Sequence, residues 1–220
     1  MAQPRTACTS HAAGALVFFL AAAPLALYAE VASTEEVELE VLSSGQSHTC
    51  AVRDSDGLAL CWGRNDDGQS GVPQDLGEVT SLSAGTKHTC AVRATDGLAR
   101  CWGSDDYGQS SVPQNLGEVR SPNAGYYYTC AVRIADSLAQ CWGRNNEGQS
   151  SVPQDLGKVR FLSLGLSHTC GVRADGLALC WGNNANGQSD VPQDLGEVSA
   201  LSSGAWHTCA VRTADGLISC

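Results

Sequence analysis

The residues best suited to chemistry in this chain are its histidines and cysteines, and they recur in one pattern. His48-Thr49-Cys50 is followed by Cys61-Trp62-Gly63, and related runs carry Cys90 and Cys101, Cys130 and Cys141, Cys170 and Cys180, and Cys209 and Cys220. Such a set could hold a metal, serve a nucleophile, or form disulfides. Zinc takes four ligands at tight spacings such as Cys-x2-Cys or His-x3-His. One repeat offers three, His48, Cys50 and Cys61. His88 and His168 repeat the pattern, and Tyr128 takes the histidine's place in the third copy. A disulfide beside a packed histidine fits better. An enzyme site needs an asymmetric constellation, and these histidines have no Ser or Asp partner distinct from the repeat, so no catalytic residue and no enzyme is expected. The turns Asn65-Asp66-Asp67-Gly68 and Asn183-Asn184-Ala185-Asn186-Gly187 superficially resemble calcium loops. They lack the regular Asp spacing and distal Glu of such loops, and Asn and Gly suit tight turns on steric grounds. No metal and no cofactor is expected.

A hairpin must position the cysteines. His48-Thr49-Cys50-Ala51-Val52-Arg53 and Leu58-Ala59-Leu60-Cys61-Trp62-Gly63 flank a turn that ends in Asp56-Gly57, which is a hairpin signal. With a four-residue loop, Arg53 faces Leu58, Val52 faces Ala59, Ala51 faces Leu60 and Cys50 faces Cys61. Opposed residues share a face. A non-hydrogen-bonded Cys pair would have Cα atoms ~4.5 Å apart, within disulfide reach. The fourth copy tests this register. Cys170 and Cys180 are one residue closer, but the loss falls in the turn, Ala174-Asp175-Gly176, and the cysteines still face each other. The expected bridges are therefore Cys50–Cys61, Cys90–Cys101, Cys130–Cys141, Cys170–Cys180 and Cys209–Cys220, each worth about 3 kcal/mol by loop-closure entropy. Both hairpin faces read as buried, as in a stacked array. Gly63, opposite His48, is expected to leave room for the imidazole, and the Trp of each Cys-Trp-Gly (Trp62, Trp102, Trp142, Trp181) to be core.

The hairpin recurs at intervals of 40, 40, 40 and 39 residues, counted on its first Cys. A period near 40 with strand patterning indicates a solenoid or a propeller. The repeats run over about 38–77, 78–117, 118–157, 158–196 and a partial 197–220, within a repeat domain over 41–220. Three strands are expected in each: a short first one, Val79–Ala84 in the second repeat, then the two of the hairpin. Pro122 should weaken the first strand of the third repeat.

Ahead of the repeats, residues 1–29 read as a secretory signal peptide: Arg5, an apolar run from Ala12 to Leu27, then small residues before Ala29. A signal anchor is the alternative, though the run is short for a membrane span. Removing it removes Cys8 and leaves ten cysteines of the chain's 11, all in hairpins, as a disulfide framework in a secreted chain requires. Residues 30–40 form an acidic lead-in. The formal charge of −10 argues against a nucleic-acid partner, which needs a basic face, and against an anionic membrane surface.

The pattern GxxHTCAV…DG…L…CWGxNxxGQ…VP, over residues 41–220, resembles the repeats of the regulator of chromosome condensation family. It is most similar to the short-repeat type seen in beta-lactamase inhibitor protein II. The resemblance implies an all-β propeller-type fold, one blade per repeat, in a family that usually closes its ring with seven. This chain offers about four and a half, so an open or incomplete propeller is expected. The stop at Cys220, where Trp-Gly is due, reads as a fragment of a longer product. The cysteines depart from the usual family pattern and fit an oxidised, secreted branch.

Partner binding is the remaining chemistry. Two residues between Gly and His vary inside the fixed frame: Gln46-Ser47, Thr86-Lys87, Tyr126-Tyr127, Leu166-Ser167 and Ala205-Trp206. A second variable place holds Asp67, Tyr107, Glu147 and Asn186. These loops should line one end of the array. Tyr and Trp are common interface anchors, so Tyr107, Tyr126, Tyr127 and Trp206 are the expected contacts. The reading is a secreted scaffold that binds another protein, with inhibition of an enzyme as one form of that binding. The alternatives are a lectin-like module that stacks sugars on the same aromatics, and an exchange-factor or chromatin role carried by the family name alone.

Overall fold

The computed structural model describes residues 39–220, so the expected signal peptide over 1–29, with Cys8, lies outside the described residues. Each repeat forms one antiparallel three-stranded sheet whose strands follow chain order. The sheets are β1 (Leu39–Ser44), β2 (His48–Arg53) and β3 (Ala59–Gly63); β4 (Val79–Ala84), β5 (His88–Arg93) and β6 (Ala99–Gly103); and β7 (Val119–Ala124), β8 (Tyr128–Arg133) and β9 (Ala139–Gly143). Then come β10 (Val159–Leu164), β11 (His168–Arg173) and β12 (Ala178–Gly182), and last β13 (Val198–Ser203), β14 (Thr208–Arg212) and β15 (Ile218–Ser219). The lead-in expected over 30–40 ends early, because Leu39 already pairs with Arg53.

The hairpin register is the one the cysteine spacing requires. His48 faces Gly63, Cys50 faces Cys61 and Val52 faces Ala59. All five hairpins carry their disulfide, with Cα atoms 4.0–4.1 Å apart. The turn is closed by local polar chemistry. Asp56 takes the Arg53 guanidinium and accepts the Leu58 N–H at 3.1 Å, which lets Gly57 pass through φ +66°. In the third repeat Ser137 holds that left-handed position at φ 61°, a conformation that favours glycine. The shorter fourth turn keeps the same device, with Asp175 accepting the Leu177 N–H at 3.1 Å. Pro122 costs β7 one rung: Ser81 pairs with Val92 in the second repeat, whereas the third passes from Val119 directly to Pro122.

The hydrophobic cores lie between consecutive sheets. Cys50, Val52 and Ala59 of the first sheet pack against Leu76, Val79, Leu82, Ala91 and Trp102 of the next repeat and its approach, and the later sheets repeat this arrangement. A polar relay stitches each seam. The Gln69 carbonyl accepts Thr89 Oγ1–H at 2.7 Å and Trp102 Nε1–H at 3.0 Å. Since Thr89 gives its one proton to Gln69, it must accept from His48 Nε2, 2.8 Å away. His48 therefore carries a proton on Nε2. The same relay runs through His88, Thr129 and Gln109, and through His168, Thr208 and Gln188. Burial holds these imidazoles below their usual pKa, His88 down to about 4. In the third repeat the Tyr128 hydroxyl reaches farther and donates to the His168 carbonyl at 2.6 Å.

Two expectations are corrected. Room for the imidazole is made by Gly45, where a Cβ would lie 2.1 Å from the Gly85 carbonyl oxygen of the next repeat and 2.7 Å from His48 Cε1. At Gly63 a Cβ would instead strike the Ser47 carbonyl oxygen at 2.7 Å and His48 Cα at 2.8 Å. Trp62 is not core. It is 48% exposed, against 7–8% for Trp102, Trp142 and Trp181. No described linker or sheet precedes the first repeat to cover it.

Candidate functional site: the variable rim

Two loops of each of the first four repeats meet at one end of the sheet. The first is the tip between the first and second strands, closed by Gly45 N–H donating to the His48 carbonyl at 2.9 Å. The second is the turn after the third strand, closed by Gly68 N–H donating to Asn65 at 3.1 Å. Arg64 N–H donates to the Ser47 carbonyl at 2.8 Å, and Ser104, Arg144 and Asn183 repeat that bond to Lys87, Tyr127 and Ser167. The turn's polar side chains serve its own backbone. Asn65 Oδ1 accepts Ser70 N–H at 3.0 Å and Gln69 Oε1 accepts Asp67 N–H at 2.9 Å. Among the described residues no group of three or more His, Cys, Asp or Glu is placed to hold a metal ion.

On this frame the variable residues divide by position. The first of each pair, Gln46, Thr86, Tyr126, Leu166 and Ala205, lines one shared opening of about 280 Å³ with the neighbouring glycines. The five repeats therefore curve around a common axis. At two seams the second of the pair meets the variable turn residue of the preceding repeat. Lys87 Nζ lies 3.4 Å from the Asp67 carboxylate. Tyr127 and Tyr107 hold their ring centroids 5.2 Å apart. At the following seam Glu147 accepts from Asn183 Nδ2 at 3.0 Å, and at the last one Trp206 and Asn186 line one cavity.

Three of the four expected contact residues come together. Tyr126 and Tyr127 pack edge to face at 4.3 Å, and Tyr107 closes the cluster while remaining 48% exposed. Burial, then the neighbouring Tyr126, raises the Tyr127 pKa. Trp206, 53% exposed, belongs to a later repeat and lies outside this cluster. The sequence reading missed Arg144, whose guanidinium sits 5.8 Å above the Tyr107 ring. Its counterpart Arg64 pairs with Asp66 at 2.8 Å, but Asn146 replaces that acid in the third repeat. That exchange was the available signal.

The sequence profile of the regulator of chromosome condensation (RCC1) repeat matches residues 42–69, 79–109 and 159–188. Three of the five repeats are therefore RCC1 repeats. No curated protein matches the chain in sequence. Among solved structures it is similar to the ectodomain of the Physcomitrella patens receptor kinase CR4, with 29% identity and a TM-score of 0.71, over 87% of this chain and 52% of that one. The CRINKLY WD40 ectodomain of the Arabidopsis thaliana receptor kinase ACR4 matches at 26% identity and a TM-score of 0.63, over 83% and 62%. Prp20p from Saccharomyces cerevisiae, at 16% identity and a TM-score of 0.67 over 84% and 58%, shares the fold. The chain thus spans between half and two thirds of the length of these relatives. Its five repeats form an all-β, propeller-type array with no sheet closing the ring among the described residues.

Proposed function

We propose that the chain is a secreted, disulfide-stapled RCC1-repeat scaffold that binds another protein through its variable rim. The observation that carries this reading is the patch of Tyr107, Tyr126, Tyr127 and Arg144, built only from positions that differ between repeats and mounted on a frame that does not. Aromatic and Arg side chains on a rigid surface make efficient anchors. Arg144, without the acid that Arg64 has, offers a fork for a partner's carboxylate. The five disulfides support an oxidising compartment, as does the likeness to two receptor ectodomains. Prp20p, for its part, binds Gsp1p and histones, which supports a protein as the class of partner. Inhibition of an enzyme is one consequence such binding would have.

The test is capture from the secreted fraction by immobilised chain, beside a glycan array. A single captured protein should bind at least ~30-fold more weakly to the Tyr107→Ala and Arg144→Ala variants, as loss of a hot-spot side chain implies. Sugar binding that disappeared on Tyr126→Ala and Trp206→Ala would replace this reading with the lectin-like one.

A further inference from the structure

The turn after the third strand carries a buried glutamine in each of the first four repeats, Gln69, Gln109, Gln149 and Gln188. Their side-chain carbonyls all do one thing, accepting the N–H of Asp67, Tyr107, Glu147 or Asn186 at 2.8–2.9 Å. Their amide nitrogens divide. Gln109 Nε2 donates to Ser104 Oγ at 2.9 Å and Gln188 Nε2 to Asn183 Oδ1 at 2.8 Å. In the first and third repeats Arg64 and Arg144 take the place of Ser104 and Asn183. An arginine has donors and no acceptor, and Gln69 Nε2 and Gln149 Nε2 are buried without a partner. In the first repeat the arginine itself is satisfied, its Nε donating to Asp66 at 2.8 Å. In the third, Asn146 stands where that acid would be, and the buried Arg144 Nε is unpartnered too. One turn thus holds two buried donors with no acceptor, a costly arrangement unless something supplies one.

We infer that this turn is a subsite for a single carboxylate, that of an Asp or Glu side chain on the partner, which accepts from Arg144 Nε and Gln149 Nε2 together. The inference rests on the rim as the binding face and names what one part of it receives. Both halves of the contact exist separately in other turns: an acid on Arg64, and an oxygen on the amide of Gln109. A carboxylate supplies both. The charges fit a monoanion. Lys87 is engaged by Asp67, and Glu147, in the same turn as Arg144, is engaged by Asn183 across the next seam. Arg144 is left as the cation of the patch that lacks an acid. Its one charge balances a carboxylate, whereas a phosphate ester brings nearly two negative charges. Arg144 is half-buried, its guanidinium 5.8 Å from the centre of the Tyr107 ring. Rotation of its long stem opens Gln149 to a side chain entering beside that exposed ring.

The experiment titrates the full, oxidised chain with the α-amide of N-acetyl-L-glutamic acid, following the Arg144 Nε–H and Gln149 side-chain amide signals by NMR. Saturable shifts of both are expected, and none with the neutral N-acetyl-L-glutaminamide. Two variants borrow residues that other repeats already carry, so the turn keeps its fold. Asn146→Asp gives Arg144 an acid of its own and should weaken binding about tenfold to a hundredfold, as loss of a charged hydrogen bond implies. Arg144→Ser gives Gln149 the acceptor that Gln109 has and should abolish the saturable shifts. Shifts that do not saturate, that appear equally with the glutamine amide, or that survive either variant overturn the subsite. Tighter binding of N-acetyl-O-phosphoserine amide overturns the monoanion assignment. A captured partner weakened by Tyr107→Ala but not by Asn146→Asp overturns the subsite and leaves the rim reading standing.

Discussion

Seam and rim are built from adjacent residues yet behave oppositely. At the seam the side chains repeat and their polar atoms end on fixed backbone: Thr89 and Trp102 on the Gln69 carbonyl, Thr129 and Trp142 on Gln109. At the rim, two residues away, the pairings change kind with each repeat, from the Lys87–Asp67 ion pair to the Tyr127–Tyr107 ring contact to the Asn183–Glu147 hydrogen bond. A backbone acceptor does not vary with sequence, so whatever bonds to it is held constant. A side-chain partner can vary with its neighbour, and at the rim it does. Stability should therefore reside in the seam and recognition in the rim.

The sharpest way to break that division is at the indoles. Trp142→Ala removes a side chain that is 8% exposed together with its bond to Gln109, and should cost about 3–5 kcal/mol in urea denaturation. Trp62→Ala, the same residue type in the same motif, should cost less than about 1 kcal/mol because its ring already faces solvent. Equal losses would mean that burial in the seam is not what matters. Next in size, replacing Cys130 and Cys141 together by Ser should cost about 3 kcal/mol, and reduction of all five bridges should unfold the array.

Acid should act on the seam alone. His48, His88 and His168 are neutral when folded, and their pKa values lie below 6.5, His88 near 4. The unfolded chain takes up protons near pH 6.5, so it binds more of them than the folded chain between pH 6.5 and 4. Stability therefore falls as pH drops through that window. The urea midpoint should decline by a margin that shrinks in a His88→Gln variant, while Tyr128 already spares the third repeat one such histidine. A midpoint constant from pH 7 to 4.5 would contradict the relay's assigned protonation.

How much of this was legible depended on whether a residue's surroundings are encoded within its own hairpin. Register was, because period-two alternation and the facing cysteines fix each other, and the one-residue deletion in the fourth turn left them facing. The exposure of Trp62 was not, since its sequence matches that of Trp102 and the difference lies in what the preceding repeat supplies. The role of Gly45 was hidden because its clashes are with the Gly85 carbonyl of the next repeat and a side chain three residues on, not with the cross-strand neighbour that pairing suggests. Arg144 was missed because its meaning comes from Asn146, an uncharged replacement that draws attention only beside the Arg64–Asp66 pair. The clustering of Tyr107 with Tyr127 needed the seam itself, which joins positions 20 apart in the chain.

The smallest effect separates the two regions most cleanly. The Lys87–Asp67 pair spans a seam but belongs to the rim, with both side chains partly exposed, 30% and 23%. Exposed pairs of this kind contribute less than about 1 kcal/mol, so Lys87→Ala and Asp67→Ala should each leave the urea midpoint nearly unchanged. A double-mutant cycle on stability should return a coupling of a few tenths of a kcal/mol. The same cycle on partner affinity should return more, because a bound partner removes water from the pair and with it the screening that weakens it. Coupling that is larger in stability than in binding would place Lys87 and Asp67 with the relay of Thr89 and Gln69, and the line between seam and rim would have to be redrawn two residues farther out.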